Sequence, residues 1–249
     1  MRALRILLIV AVVLGGLFAA ADRLAVNYAE SETADRIRTS QGLDRTPEVS
    51  IHGFPFLTQV LGKELDEVDV ALSDLTATAG GNEVNVTEAR AELRGVRIDG
   101  SFSSATATRA DGSARISYAD LTEAAPGGAE VTYAGPERAA KGQVKVSGPL
   151  VKLLEDADVP LPEAAKALIG DREVATYSTV TLVEGATVRL EAESLPKLPL
   201  PGFEERLRKA VDLDLKIEGL PSTITLDKVE AGETGLRFSG TGEDVRLTG

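Results

Sequence analysis

The hydrophobic rhythm of the chain takes three forms in turn. Ile6 to Ala21 is a run of sixteen residues with no charge and no strongly polar side chain, and Arg2 and Arg5 precede it. As a helix rising ~1.5 Å per residue it would be about 24 Å long, short of the ~30 Å hydrocarbon core of a bilayer. From Asp22 to Ser40 there is no Gly or Pro, and Leu24, Tyr28, Ala34 and Ile37 can share one face of a 3.6-residue period. This stretch is predicted to be a helix stopped by Gln41-Gly42. After Pro47 the period becomes two. Val68, Val70 and Leu72 alternate with polar or small residues, as do Val84 and Val86. Ala89, Ala91 and Leu93 continue on the other parity, which predicts a bulge near Thr87-Glu88.

The same alternation returns at Val144/Val146, Val188/Leu190/Ala192, Leu213/Leu215/Ile217, Ile224/Leu226 and Val245/Leu247. Turns are expected at Ala79-Gly80-Gly81-Asn82, Asp111-Gly112, Pro126-Gly127-Gly128, Glu184-Gly185 and Gly240-Thr241-Gly242. Strands that are apolar on one face only belong to antiparallel sheet. Short helices are predicted over Leu150–Ala157, Pro162–Ile169 and Phe203–Val211, with a helical turn over Ala119–Ala125. So few helices cannot cover the inner face of seven or more strands. An α+β fold results whose sheet must roll onto itself, pack on the first helix, or enclose something else. Both a solid core and a cavity satisfy that requirement.

The first apolar run has the size of a signal peptide, and Ala19-Ala20-Ala21 offers a small-x-small cleavage site before Asp22. Retained, it is a membrane anchor that the following helix extends as a stalk. A buried core helix fits it poorly, since such helices normally keep one polar face. With Arg2 and Arg5 held inside, both readings put the rest of the chain outside the cytoplasm. The expected organisation is a signal peptide or anchor over residues 1–21 and a single domain over 22–249.

Composition narrows the partners. The formal charge is −12, and −14 once Arg2 and Arg5 are left aside. A field of that sign opposes nucleic acid and loose adsorption to anionic headgroups, so any lipid contact is expected through an apolar site. There is no cysteine, which excludes disulfides, thiolate catalysis and lipoprotein-type acylation. His52 is the only histidine; no G-x-S-x-G or H-E-x-x-H occurs, and no His/Cys cluster marks a zinc site. Asp66, Glu67 and Asp69 lie close together, yet alternation puts Asp66 and Asp69 on opposite faces, as expected of a solvated edge. Asn85-Val86-Thr87 fits the glycosylation sequon. No catalytic residue, metal or cofactor is expected.

The most distinctive stretch is Gly53-Phe54-Pro55-Phe56-Leu57-Thr58-Gln59, running on through Val60-Leu61-Gly62. It holds two of the six Phe around a Pro, so an edge or turn feeding a strand from about Phe56 is expected. Phe54, Phe56, Leu57, Val60 and Leu61 are either a core plug or the apolar lip at the mouth of a groove.

That stretch, followed by Val68-Asp69-Val70, resembles the opening of the LmeA-like phospholipid-binding family of actinobacterial cell envelopes. So do the Ala/Arg-rich helix from Asp22, the segment Ile116 to Leu121, and the closing hairpin from Gly219-Leu220-Pro221 through Gly235 to Leu247. Residues 99–115 and 126–172 carry no such pattern. The resemblance implies a fold like the tubular lipid-binding proteins, a strongly curved, mostly antiparallel sheet wrapped around a long helix and an apolar channel. It also implies an extracytoplasmic phospholipid carrier supporting the assembly of envelope lipids or lipoglycans. The alternative is a scaffold or accessory factor with a solid core, whose partner is a protein such as a membrane glycosyltransferase.

Overall fold

The structure, a computed structural model, describes residues 2–79, 81–100, 104–125, 128–156, 161–183, 186–195, 208, 212–217 and 223–248. Its elements in chain order are α1 (Arg2–Ser40), β1 (Glu48–His52), α2 (Phe56–Gly62), β2 (Glu64–Ala79), β3 (Asn82–Ile98), β4 (Ser104–Ser117), α3 (Tyr118–Ala124), β5 (Glu130–Tyr133), α4 (Pro136–Ala139), β6 (Gln143–Pro149), α5 (Leu150–Asp156), α6 (Glu163–Ile169), β7 (Glu173–Val183), β8 (Thr187–Ala192), β9 (Leu213–Lys216), β10 (Ile224–Gly232) and β11 (Gly235–Thr248). The fold is α+β, with a long N-terminal helix, two antiparallel sheets and a few short helices. The sheets run β1-β2-β3-β4-β11-β10 and β5-β6-β7-β8-β9.

The chain divides into two compact units. One comprises Met1–Leu72, Arg90–Asp111 and Gly242–Gly249; the other comprises Ser73–Ala89 and Gly112–Thr241.

In the first unit the apolar run and the predicted helix are one element, α1. Its first half exposes Leu4, Ile6, Leu7, Leu8, Leu14 and Leu17, an apolar surface that no described residue covers. Its second half buries Asp22, Val26 and Ala34 and packs on β1 and α2. Leu24 and Tyr28, expected on the packed face, are exposed on the opposite one. The small Ala34 lets β1 approach, where Val49 and Ile51 are buried, and the Ile51 amide donates to Glu30 Oε1 at 2.8 Å. Gly42, at φ +63°, ends the helix as predicted, and the Leu43 amide reaches back to the Arg38 carbonyl.

Two expected turns are strand instead. Asp111-Gly112 lies within β4, where Asp111 is held by Arg109 through two hydrogen bonds of 2.8 and 2.7 Å. Gly240-Thr241-Gly242 lies within β11; a Cβ at Gly240 would collide with the Thr225 carbonyl, so glycine here serves close backbone approach. Along β3 the parity of buried residues does change, from Val84 and Val86 to Leu93, and it changes again at Val96 after Gly95 with φ +59°. The helices predicted at 150, 162 and 119 are α5, α6 and α3. The helix predicted over 203–211 and the turns at residues 80, 126–127 and 184–185 lie outside the described residues, Arg208 excepted.

The second unit holds β5 to β10 with the parts of β2, β3, β4 and β11 assigned to it. Its main core is Val131, Val144, Val180, Val188, Leu236 and Phe238. A smaller one forms where Leu150 and Leu154 of α5 meet Ile169 of α6.

Candidate functional site

The segment from Gly53 to Gln59 is not the strand entry that alternation suggested. The strand β1 precedes it, and Phe56 opens the helix α2. Pro55, joined to Phe54 by a cis peptide bond, stands at the helix N-cap with φ −78° and offers no side-chain cap. The missing cap is supplied by another element. Asp22 of α1 is completely buried, and its Oδ1 accepts the Leu57 amide at 2.9 Å. A carboxylate there satisfies an amide that a helix start otherwise leaves unpaired.

The neighbouring residues lock this joint. Gly53 has φ +98°, and a Cβ there would collide with Gln59 and Asp66. Gln59 bridges two strands, donating to the His52 carbonyl at 3.3 Å and accepting the Asp66 amide at 2.8 Å. The Thr58 hydroxyl donates to the Pro55 carbonyl at 2.8 Å.

The five candidate residues therefore separate. Phe56 is 5% exposed and packed as a plug. Leu57 and Val60 are half-buried. Phe54 and Leu61 are 60% and 84% exposed, and the Arg23 guanidinium lies 5.4 Å from the Phe54 ring. The segment combines a plug with an outward apolar surface. Asp22 went unnoticed in the sequence because its partner is thirty-five residues away; an acid directly after an apolar run is the only local signal.

A second apolar region lies in the second unit. Register puts Val131 opposite Val146, Val180 opposite Leu190 and Leu182 opposite Val188, so these side chains share one face of the five-stranded sheet. The same cluster includes Leu236 and Phe238 from β11 and Val229 and Ala231 from β10. Around six buried members stand ten that are only partly covered, among them Ile116, Leu121, Leu182, Leu190, Ile217 and Val229. Among the described residues the partly covered side chains thus outnumber the buried ones, and apolar surface of this kind suits a ligand. Tyr118 and Tyr133 lie beside it with ring centroids 6.5 Å apart. The Tyr118 hydroxyl donates to the Gly232 carbonyl at 2.8 Å, and burial, with Tyr133 adding to it, pushes its phenol up to about 12.

At the same end Ser117 caps α3, accepting the Asp120 amide at 3.1 Å. The Asp120 carboxylate accepts from Ser117, from Asn85 at 3.1 Å and from Thr87 at 3.2 Å. These hydrogen bonds, Ser117 foremost, outweigh burial and hold Asp120 below the usual carboxylate range. Both polar residues of the sequon thus bond to α3.

Strand pairing also gathers His52, Glu67 and Asp69, whose ligand atoms lie within 4.8 Å of one another. Internal partners engage each of them: His52 Nε2 is 2.9 Å from Asp69 Oδ2, and Glu67 accepts from Arg94 at 3.3 Å, while Asp69 Oδ1 is buried without a partner among the described residues. Asp66 is exposed apart from this group, as alternation requires. A concavity of about 300 Å³ in the first unit is lined by Arg97, Ile98, Asp99, Ser104, Ala105 and Thr106, too polar to hold an acyl chain.

An apolar sheet face left partly uncovered suits an acyl ligand, and comparison with known families agrees. The family model of LmeA-like phospholipid-binding proteins matches residues 20–241. The chain belongs to this family. Neither a curated protein nor a solved structure matches it. An LmeA-like chain is a member of a lipid-binding family, not of an enzyme family.

Proposed function

We propose that this protein binds a phospholipid outside the cytoplasm, as a carrier for the assembly of cell-envelope lipids or lipoglycans, with acyl chains held on the apolar face of the second unit. The observation that carries the reading is the excess of partly covered apolar side chains around Val131, Val144, Val180 and Phe238. Each buried methylene contributes ~0.8 kcal/mol, so one long acyl chain gains on the order of 10 kcal/mol before ordering costs. Such a face selects by apolar area and not by headgroup, which suits a broad range of lipids.

Arg2 and Arg5 before the apolar run support that location. A reporter fused after Gly249 is expected to be active only outside the cytoplasm; activity inside would end this part of the reading. For the ligand, protein purified without detergent exchange is extracted and its lipid measured by mass spectrometry. About one phospholipid per chain is the expected result. Lipid-free protein with unchanged stability would instead favour a scaffold that needs no ligand.

A further inference from the structure

We infer that the joint between α1 and α2 is a membrane-docking face, on which Phe54 and Leu61 enter the bilayer surface while Ile6–Ala21 spans it. The argument starts from position. Ala21 ends the apolar run, and the next residue, Asp22, holds the first amides of α2. The depth of α2 is therefore fixed at the end of the span. Four large apolar side chains are exposed at that level, Phe54 and Leu61 from α2 and its approach and Leu24 and Tyr28 from α1, with Arg23, Asn27, Thr58 and Lys63 exposed among them. At ~1.5 Å per residue Leu24 and Tyr28 stand about 4.5 and 10 Å beyond Ala21, the depth of the headgroup layer, where Tyr is a common anchor.

The length of the span works in the same direction. About 24 Å of apolar helix is shorter than the hydrocarbon core, so flanking residues are drawn toward the bilayer. Arg23, half-exposed beside the Phe54 ring, can reach headgroup phosphate. Glu64 and Asp66, exposed close by, offset the charges of Lys63 and Arg23, so docking is apolar and not electrostatic. The occupant of this surface is the bilayer that holds α1, since the two apolar surfaces meet at Asp22. The inference rests on a retained span and is independent of any lipid bound in the second unit.

The chain contains no tryptophan, so one introduced residue reports its own surroundings. Full-length Phe54→Trp and Leu61→Trp are reconstituted in phosphatidylcholine vesicles with and without acyl-brominated lipid, beside Thr181→Trp, exposed on β7. Quenching of the first two at least about twofold above the third is expected. Both positions as unquenched as Thr181→Trp, with the protein still resisting carbonate extraction, would overturn the proposal. So would blue-shifted emission without quenching, which means a protein surface covers them, or a mature N-terminus at Asp22. In the Leu61→Trp background, Asp22→Ala is expected to roughly halve the quenching while extraction behaviour stays the same. Unchanged quenching there would remove Asp22 from the mechanism.

Discussion

The two apolar regions of the protein are finished to different degrees. Around α2 nearly every group has a partner inside the chain: Asp22 takes the Leu57 amide, Gln59 spans two strands, and Phe56 fills its place. Of the large apolar side chains, Phe54 and Leu61 project outward, as do Leu24 and Tyr28 on α1. In the second unit the order is reversed, with a small buried centre inside a wider ring of half-covered valines, leucines and isoleucines. Close-packed apolar residues resist change in volume, whereas loosely covered ones leave room for a ligand. Under the proposed function the first region positions and the second receives.

The largest effect that can break this contrast is at Phe56. Phe56→Ala is expected to cost about 3–5 kcal/mol, a large part of the ~5–15 kcal/mol of a typical domain. The urea midpoint should fall steeply. A loss near that of a surface site would mean that Phe56 is not a plug and that the two regions are alike.

Next in size is the change at the half-covered face. Leu190→Gln and Val229→Gln are expected to reduce co-purified phospholipid several-fold and to move the urea midpoint less than Phe56→Ala does. Both side chains are partly exposed, so each leaves little empty volume behind. A collapsed midpoint together with unchanged lipid would reverse the assignment.

How much of this was legible in the sequence depends on the range of the interactions. The switch from period 3.6 to period 2, the stop at Gly42 and the short helices at 118, 150 and 163 come from local rules, and the sequence carries them. The strand at Ser104–Ser117 was illegible because its residues are of middling burial, with only Ala107 and Ala110 buried, so no apolar alternation marks it. Gly240 and Gly242 suggested a turn because a glycine needed for strand-to-strand approach looks, in sequence, like one needed for a turn. At the site, Phe54 to Leu61 stood out by composition alone. Their separation into a plug and an exposed pair required Asp22, which no local pattern connects to Leu57. The half-covered face was visible only as separate strands, since its shortage of cover is a property of the packed unit.

A smaller effect concerns acid. Asp120 holds its carboxyl below the usual value through Ser117, Asn85 and Thr87. The stability it contributes is complete above the unfolded pKa of ~4 and is lost as pH falls through the lower folded value. Asp120→Ala should therefore bring the urea midpoints of variant and parent together once pH has fallen below that folded value, with the gap between them restored at neutral pH. A gap independent of pH would show that the charge contributes nothing and that α3 is held by Ser117 alone.

The smallest effect is expected at His52, and it tests whether the first unit does anything beyond positioning. His52 is the only histidine, so imidazole-based acid–base chemistry would have to use it. The structure places it at the end of β1, exposed, with Nε2 2.9 Å from Asp69 and with Glu67 opposite. An exposed pair of this kind contributes ~0–1 kcal/mol. His52→Ala is therefore expected to shift the urea midpoint within about 0.5 kcal/mol, as most surface substitutions do. It should leave bound phospholipid per chain unchanged and support growth of a strain lacking the protein as well as the parent does. The backbone carbonyl of residue 52, which accepts from Gln59, survives the change, so α2 keeps its place. If the variant folds and carries lipid but fails to support growth, the imidazole has a chemical task, and the division into a positioning unit and a receiving unit is wrong.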